Sequence, residues 1–141
     1  MSETNLKLVI ATARFYNALF LEITKNVQSF NLTISEFGVL EMLLHKGDQP
    51  VQKVAEKILV TSGTITAVVD KLQKKGLVLR KKCEKDQRIF YVSLTAKGQH
   101  LIAKIFPKHE KFLDELLNGI SDEIKKEVTS NLNLVLTSLN K

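Results

Sequence analysis

The sequence predicts a mainly α-helical fold with one small β-hairpin, in the order α-α-α-α-β-β-α-α. Three observations lead there. Leu, Lys, Glu and Ile abound in a chain of 141 residues that holds only two prolines and six glycines, a composition that leans towards helix. Apolar residues recur every three or four positions along most of the chain, as amphipathic helices require. Between Leu77 and Leu94 that period gives way to two β-prone runs joined by the charged segment Glu84-Lys-Asp-Gln87. The length suits one domain, residues 1–141, with a proper core.

Residues 5–29 contain no Gly or Pro and read as one helix of ~35 Å. Its apolar positions, among them Leu6, Val9, Ile10, Phe15, Tyr16, Leu19, Phe20, Ile23 and Val27, cover more than one face. A surface helix shows a single apolar stripe. Two faces call for two packing partners, either core on both sides or core plus a second subunit. Thr33-Ile-Ser-Glu36 is a capping box that opens the second helix. That helix has the apolar face Phe37, Leu40, Leu43 and Leu44, and it stops at Gly47. Pro50 is tolerated in the first turn of a third helix, roughly 50–58, which buries Val51, Val54, Ala55 and Ile58. A short turn then leads into a fourth helix from about Thr61, capped by Thr61 or Ser62. Ile65, Val68, Val69 and Leu72 form its buried side, and Gly76 ends it. Two short helices around a tight turn read as helix-turn-helix.

Leu77 to Cys83 and Arg88 to Leu94 are the two strands. Phe90, Val92 and Leu94 alternate with Ile89, Tyr91 and Ser93, as in a half-buried strand. A hairpin directly after the second helix of a helix-turn-helix is a wing. Thr95 caps a further long helix ending near Asn118-Gly119, and Pro107 predicts a kink near 103–106. Ser121, Asp122 and Glu123 open a last helix whose Ile124, Val128, Leu132, Val135 and Leu139 recur every three or four residues.

Charge is concentrated in one place. Lys71 to Lys97 holds nine basic residues against two acidic ones, a net +7 in a chain of net +6, so the remainder carries −1. A basic helix plus hairpin suits a polyanion. By helical angle Gly63, Ala67, Asp70 and Lys74 point outward from the fourth helix, flanked by Thr64, Thr66 and Lys71. That face starts small and hydroxylated, fit for base edges, and ends in lysines fit for phosphate. Enzyme classes lack their apparatus: there is no nucleophile-elbow glycine pair, phosphate loop, paired carboxylate or dinucleotide fingerprint, and no cofactor is expected. The amino terminus does not read as a signal peptide, no apolar run approaches the ~20 residues of a membrane span, and one cysteine excludes an internal disulfide. The expected setting is the cytosol, with no membrane partner.

In this order the sequence resembles the MarR family of winged helix-turn-helix regulators over nearly its full length. Asp86-Gln-Arg88, followed by Val92-Ser-Leu-Thr95 and Gly98, looks like the family's wing signature. Ser62-Gly-Thr-Ile-Thr66 with Val69-Asp-Lys-Leu72 and Lys75-Gly76 is similar to its recognition helix. The stretches Ser35-Glu-Phe-Gly-Val-Leu-Glu41, His45-Lys-Gly47 and Ile105-Phe-Pro-Lys-His109 look like its quinone- and phenol-responsive branch. The resemblance implies a homodimeric repressor on double-stranded DNA, at a pseudo-palindromic operator. Recognition helices would enter successive major grooves, about one turn or ~34 Å apart, and wing arginines the flanking minor grooves. Helices over about 5–29 and 96–140 would form an obligate-type dimer region, and residues of about 33–95 the DNA-binding lobe.

The expected DNA contacts are Ser62, Thr64, Thr66, Lys71, Lys74 and Arg88, with Asp86 orienting Arg88. A cationic wing tip suits the negative potential of a narrow minor groove, whereas an ordinary solvated ion pair would do little. Asp70 would repel phosphate and is expected to pair with a neighbouring lysine. Phe15, Tyr16, Phe20, Phe37 and Phe106 are candidates to line a pocket for a small aromatic effector, against the plainer role of core. Cys83 sits beside Lys81, Lys82 and Lys85, a cationic setting of the kind that favours a reactive thiolate. His45, His100 and His109 lack the spacing of a helical zinc pair, so no metal is expected. The leading function is a repressor released by a phenolic, quinone-like or other aromatic effector. The alternatives are a redox- or electrophile-sensing repressor acting through Cys83, and a winged-helix protein-interaction module that binds no DNA.

Overall fold

A computed structural model of the chain describes residues 2–58 and 64–140. Its elements are α1 (Glu3–Gln28), α2 (Ile34–Lys46), β1 (Gln49–Pro50), α3 (Val51–Lys57), α4 (Ile65–Lys74), β2 (Val78–Lys82), β3 (Phe90–Leu94), α5 (Ala96–Leu116) and α6 (Asp122–Leu139). The chain divides into two compact units, Met1–His109 and Glu110–Lys141. Among the described residues no helix is long and apolar enough to cross a membrane.

In the first unit α2 is the central helix. Thr33 Oγ1 accepts from Glu36 N at 3.1 Å and Glu36 Oε1 accepts from Thr33 N at 2.9 Å, completing the capping box. The helix buries Phe37, Val39, Leu40, Met42 and Leu43. This is more than the single face expected, because α1, α4 and β3 all pack on it, and a helix apolar nearly all round is a buried helix. Only the carboxy-terminal third of α1 joins this core, through Ile23 and Val27. Leu6, Val9, Ile10, Phe15 and Tyr16 stay exposed.

The sheet has three strands, ordered β1-β3-β2, all antiparallel. The added strand β1 is where only a helix start was expected: Gln49 pairs with Val92 and Pro50 with Tyr91 before the chain turns into α3. Pro is tolerated here because β1 is an edge strand and Pro50 has no N–H to lose to solvent. With neighbours on both sides, β3 departs from simple alternation. Val92 and Ser93 are both buried, and Phe90, further along the wing, is 38% exposed.

Where the wing meets α5, three backbones converge. Thr95 N donates to Leu77 O at 3.1 Å. Thr95 Oγ1 donates to Gly76 O at 2.6 Å and accepts from Gly98 N at 3.0 Å, capping α5. Gly76 has φ +75°, the left-handed C-cap that glycine adopts without steric cost. A Cβ on Gly98 would lie 2.0 Å from Leu77 O, so only glycine fits. Helix α5 then runs on through Pro107 as one helix.

The second unit holds the end of α5 and all of α6. Ser121 Oγ caps α6 by accepting from Ile124 N at 3.2 Å. No residue of α6 is buried, and Ile124, Val128, Leu132, Leu136 and Leu139 are exposed.

Candidate nucleic-acid interface

Helix α4 turns Val68, Val69 and Leu72 into the core and leaves Thr64, Thr66, Ala67, Asp70, Lys71 and Lys74 exposed. Its N-cap is Thr64, whose Oγ1 accepts from Ala67 N at 3.3 Å. That commits the oxygen to the helix start but leaves the hydroxyl hydrogen free to donate. The cap expected at Thr61 or Ser62 is therefore met by Thr64. Thr61 and Ser62 themselves, with the contact expected of Ser62, lie outside the described residues.

Asp70 pairs with an arginine, Arg80 of β2, and not with a lysine. Arg80 Nη1 lies 2.6 Å from Asp70 Oδ1. The same guanidinium donates to Gln73 Oε1 at 3.0 Å and to Thr66 O at 3.1 Å. Arg80 is opposite the fully buried Val92 in the sheet register, which turns its side chain inward, and it is 23% exposed. Sequence charge counting missed this, although the strand register contained the signal.

Lys75 is also held inward. Its Nζ lies 2.9 Å from Oε2 of the buried Glu36, a close ion pair without hydrogen-bond alignment, and donates to Asn31 O at 3.1 Å. Lys97 Nζ donates to Lys75 O at 3.0 Å. Lys71, Lys74, Lys81, Lys82 and Lys85 form no ion pair among the described residues. Of the nine basic residues between Lys71 and Lys97, these five and Arg88 are left available to a polyanion.

The wing tip is tightly turned. Cys83 N donates to Ile89 O at 2.8 Å and Ile89 N to Asp86 O at 3.0 Å. Asp86 Oδ1 accepts from Arg88 N at 3.0 Å and from Nε at 3.1 Å, while Oδ2 accepts from Nη2 at 3.3 Å. The Arg88 side chain, 91% exposed, is thereby held by a two-pronged fork. Hydrogen bonds from the Arg88 side chain and then its backbone hold the Asp86 carboxyl below its usual value of 3.8. Thr66 and Asp70 of α4, Pro50 and Gln52, and Arg80, Arg88, Ile89 and Phe90 of the wing border one open groove of about 450 Å³. The exposed Arg88 guanidinium and the apolar wall offer a track for a sugar-phosphate chain.

The five candidate effector residues are spread out. Tyr16 stacks on Phe20 at 5.3 Å between centroids, and both Phe15 and Tyr16 are exposed. Phe37 is in the core, 4.6 Å from the ring of His109, and borders a groove of about 360 Å³ between α2 and α3. Phe106 and His45 meet edge to face, their ring centroids 4.7 Å apart. Buried His109 also has Nδ1 2.7 Å from Asn26 Oδ1. Cys83 is a half-buried free thiol. Among the described residues no group of three or more His, Cys, Asp or Glu is arranged to hold a metal ion.

Comparison with known proteins gives this geometry its context. The sequence model of the MarR family matches residues 32–90. The HTH-type transcriptional regulator MhqR of Bacillus subtilis (strain 168) is 42% identical over 135 residues, spanning 96% of this chain and 93% of that protein. The chain belongs to the MarR family. Among solved structures, the regulator BldR from Sulfolobus solfataricus superposes with a TM-score of 0.82 at 28% identity, covering 98% of this chain and 99% of BldR. The organohalide-sensing regulator RdhR-CbdbA1625 in its 2,4-dichlorophenol-bound form shares the fold, with a TM-score of 0.81 at 18% identity, over 98% of this chain and 82% of that one. Like its relatives in the MarR family, this chain is a DNA-binding transcriptional regulator and not an enzyme.

Proposed function

We propose that this MarR-family chain is a cytoplasmic homodimeric repressor, released from a pseudo-palindromic operator by a small phenolic, quinone-like or other aromatic effector. The observation that carries the DNA side of this reading is the Asp86–Arg88 fork, an oriented and solvent-exposed cation on a thin hairpin next to the exposed face of α4. Arg88 enters the minor groove, Thr64 and Thr66 read base edges in the major groove, and Lys71 and Lys74 hold phosphates. Ser62 belongs to the same reading face in the sequence. Residues 1–141 act as one domain, with a DNA-binding lobe of about 33–95 and dimer helices of about 5–29 and 96–140.

Pairing of two copies is supported by the apolar surface of α1 and α6. Leu6, Val9, Ile10, Phe15, Ile124, Val128, Leu132 and Leu136 are all exposed in the single chain. Burying such side chains is worth ~1.5–3 kcal/mol each as an upper bound, so covering even some of them favours a dimer. The effector class is supported by the resemblance to the phenol-responsive branch and by the dichlorophenol bound to RdhR, a protein of the same fold. Phe15, Tyr16, Phe20, Phe37 and Phe106 remain the residues proposed to meet that effector, which acts by preferring one dimer geometry over another.

Selection of bound duplexes from a random DNA pool, with and without candidate phenols and quinones, tests this reading. A two-fold symmetric site that is lost when a phenol is present is the expected outcome. Failure to enrich any sequence would refute it. Sedimentation should show a dimer at micromolar concentration, and a monomer there would contradict the pairing.

A further inference from the structure

We infer that Arg80 is the positioning residue of the DNA-reading surface: it fixes α4 against the wing and is not itself a phosphate ligand. The inference rests on the reading of α4 and the wing as the elements that touch DNA. One guanidinium joins three acceptors along a single edge of α4, the Thr66 carbonyl, the Asp70 carboxylate and the Gln73 amide oxygen. These residues stand at i, i+4 and i+7, so two hydrogen bonds and an ion pair from one point on β2 span two helical turns. A planar guanidinium presents its donors in a fixed fork suited to several acceptors at once.

The stem of Arg80 is anchored too, since it lies opposite the fully buried Val92 in the sheet. The hairpin that carries Arg80 on β2 also carries Arg88 between its strands. Sliding or rotating α4 on that hairpin would break both hydrogen bonds and the ion pair together. The separation between Thr66 and Arg88, one on the major-groove side and one on the minor-groove side, is therefore set by Arg80. The arrangement also neutralises Asp70, whose side chain is 51% exposed on the face turned to DNA.

Two variants separate positioning from phosphate contact. Asp70→Asn removes the ion pair and makes each protomer more positive by one charge. Asp70→Asn combined with Arg80→Gln removes the staple at constant net charge. Affinity for the selected operator and for random-sequence duplex is measured across a salt series, well below the Tm of each variant.

Both variants should lose about tenfold or more in the ratio of specific to non-specific affinity, the scale of a misread base pair. The double variant should keep the wild-type salt slope and non-specific affinity. A phosphate ligand predicts the reverse: Asp70→Asn would bind all DNA more tightly, and the double variant would flatten the log–log salt slope by about 2 per dimer. A residue needed only for folding would lower specific and non-specific affinity together. Either of those results, or an unchanged ratio, overturns the inference. Wild-type protein without salt-dependent binding would overturn the underlying reading as well, and that control distinguishes the two failures.

Discussion

Gly98→Ala should loosen the joint between wing and α5 without touching any residue proposed to meet DNA. A Cβ at position 98 would lie 2.0 Å from Leu77 O, 2.9 Å from Leu77 C and 3.2 Å from Leu77 Cα. These are backbone atoms and cannot swing aside as a side chain can. Leu77 is held at both ends, its N–H donating to Leu72 O at 3.0 Å and its carbonyl accepting from Thr95 N at 3.1 Å. Relief therefore costs the Thr95 bonds to Leu77 and Gly76 and the cap on Gly98. Three hydrogen bonds at ~1 kcal/mol net each, less a few tenths regained from alanine's helix propensity in a first turn, give a loss of about 2–3 kcal/mol. With ~2.1 cal/mol/K of unfolding entropy per residue, a chain of this length should lose roughly 7–10 °C in Tm. The assay is thermal unfolding by circular dichroism at matched protein concentration, since any dimer makes Tm depend on it. Hydrogen exchange at the Thr95 amide should speed up as well. A Tm within about 1 °C of wild type would refute the claim that glycine is required by contact.

Two further outcomes follow from local chemistry. Thr33→Ala removes the N-cap acceptor of the central helix and leaves Glu36 half of its capping box; it should cost about 1–2 kcal/mol in urea unfolding. A change below ~0.3 kcal/mol would show that the box contributes little. The Asp86 carboxyl is depressed in the folded state, so the order its fork gives the wing is present above the usual carboxylate value and is lost as pH falls through the lowered one. The Arg88 Nε–H resonance should titrate with a midpoint below 3.8; a midpoint above 3.8 would contradict the fork.

Much of the fold was legible because its signals are local. Thr33 with Glu36 marks one helix start, Ser121 another, and Gly76 takes the positive φ that ends α4. What escaped depends on partners distant in sequence. β1 is two residues long and exists only because β3 lies beside it, so no pattern within Gln49-Pro50 could announce it. The partner of Asp70 is not one of its helical neighbours but lies ten residues on, across the turn into β2. For the same reason nine positive charges overstated the free ones, since Arg80 and Lys75 are tied to Asp70 and Glu36. The fork at the wing tip was readable because Asp86 and Arg88 are two residues apart, within reach of each other whatever the rest of the chain does.

The central claim is that α4 and the wing hold a DNA duplex, with Arg88 in contact. Its most direct test is the salt dependence of operator affinity for wild-type protein and Arg88→Ala side by side. Four or five of the six available cations per protomer make ~8–10 phosphate contacts in a dimer, for a log–log slope of about −7 to −9, and Arg88→Ala should bind more weakly with a slope flatter by about 2. A wild-type slope near zero, or an Arg88→Ala protein that binds the operator as tightly and as salt-dependently as wild type, would contradict it.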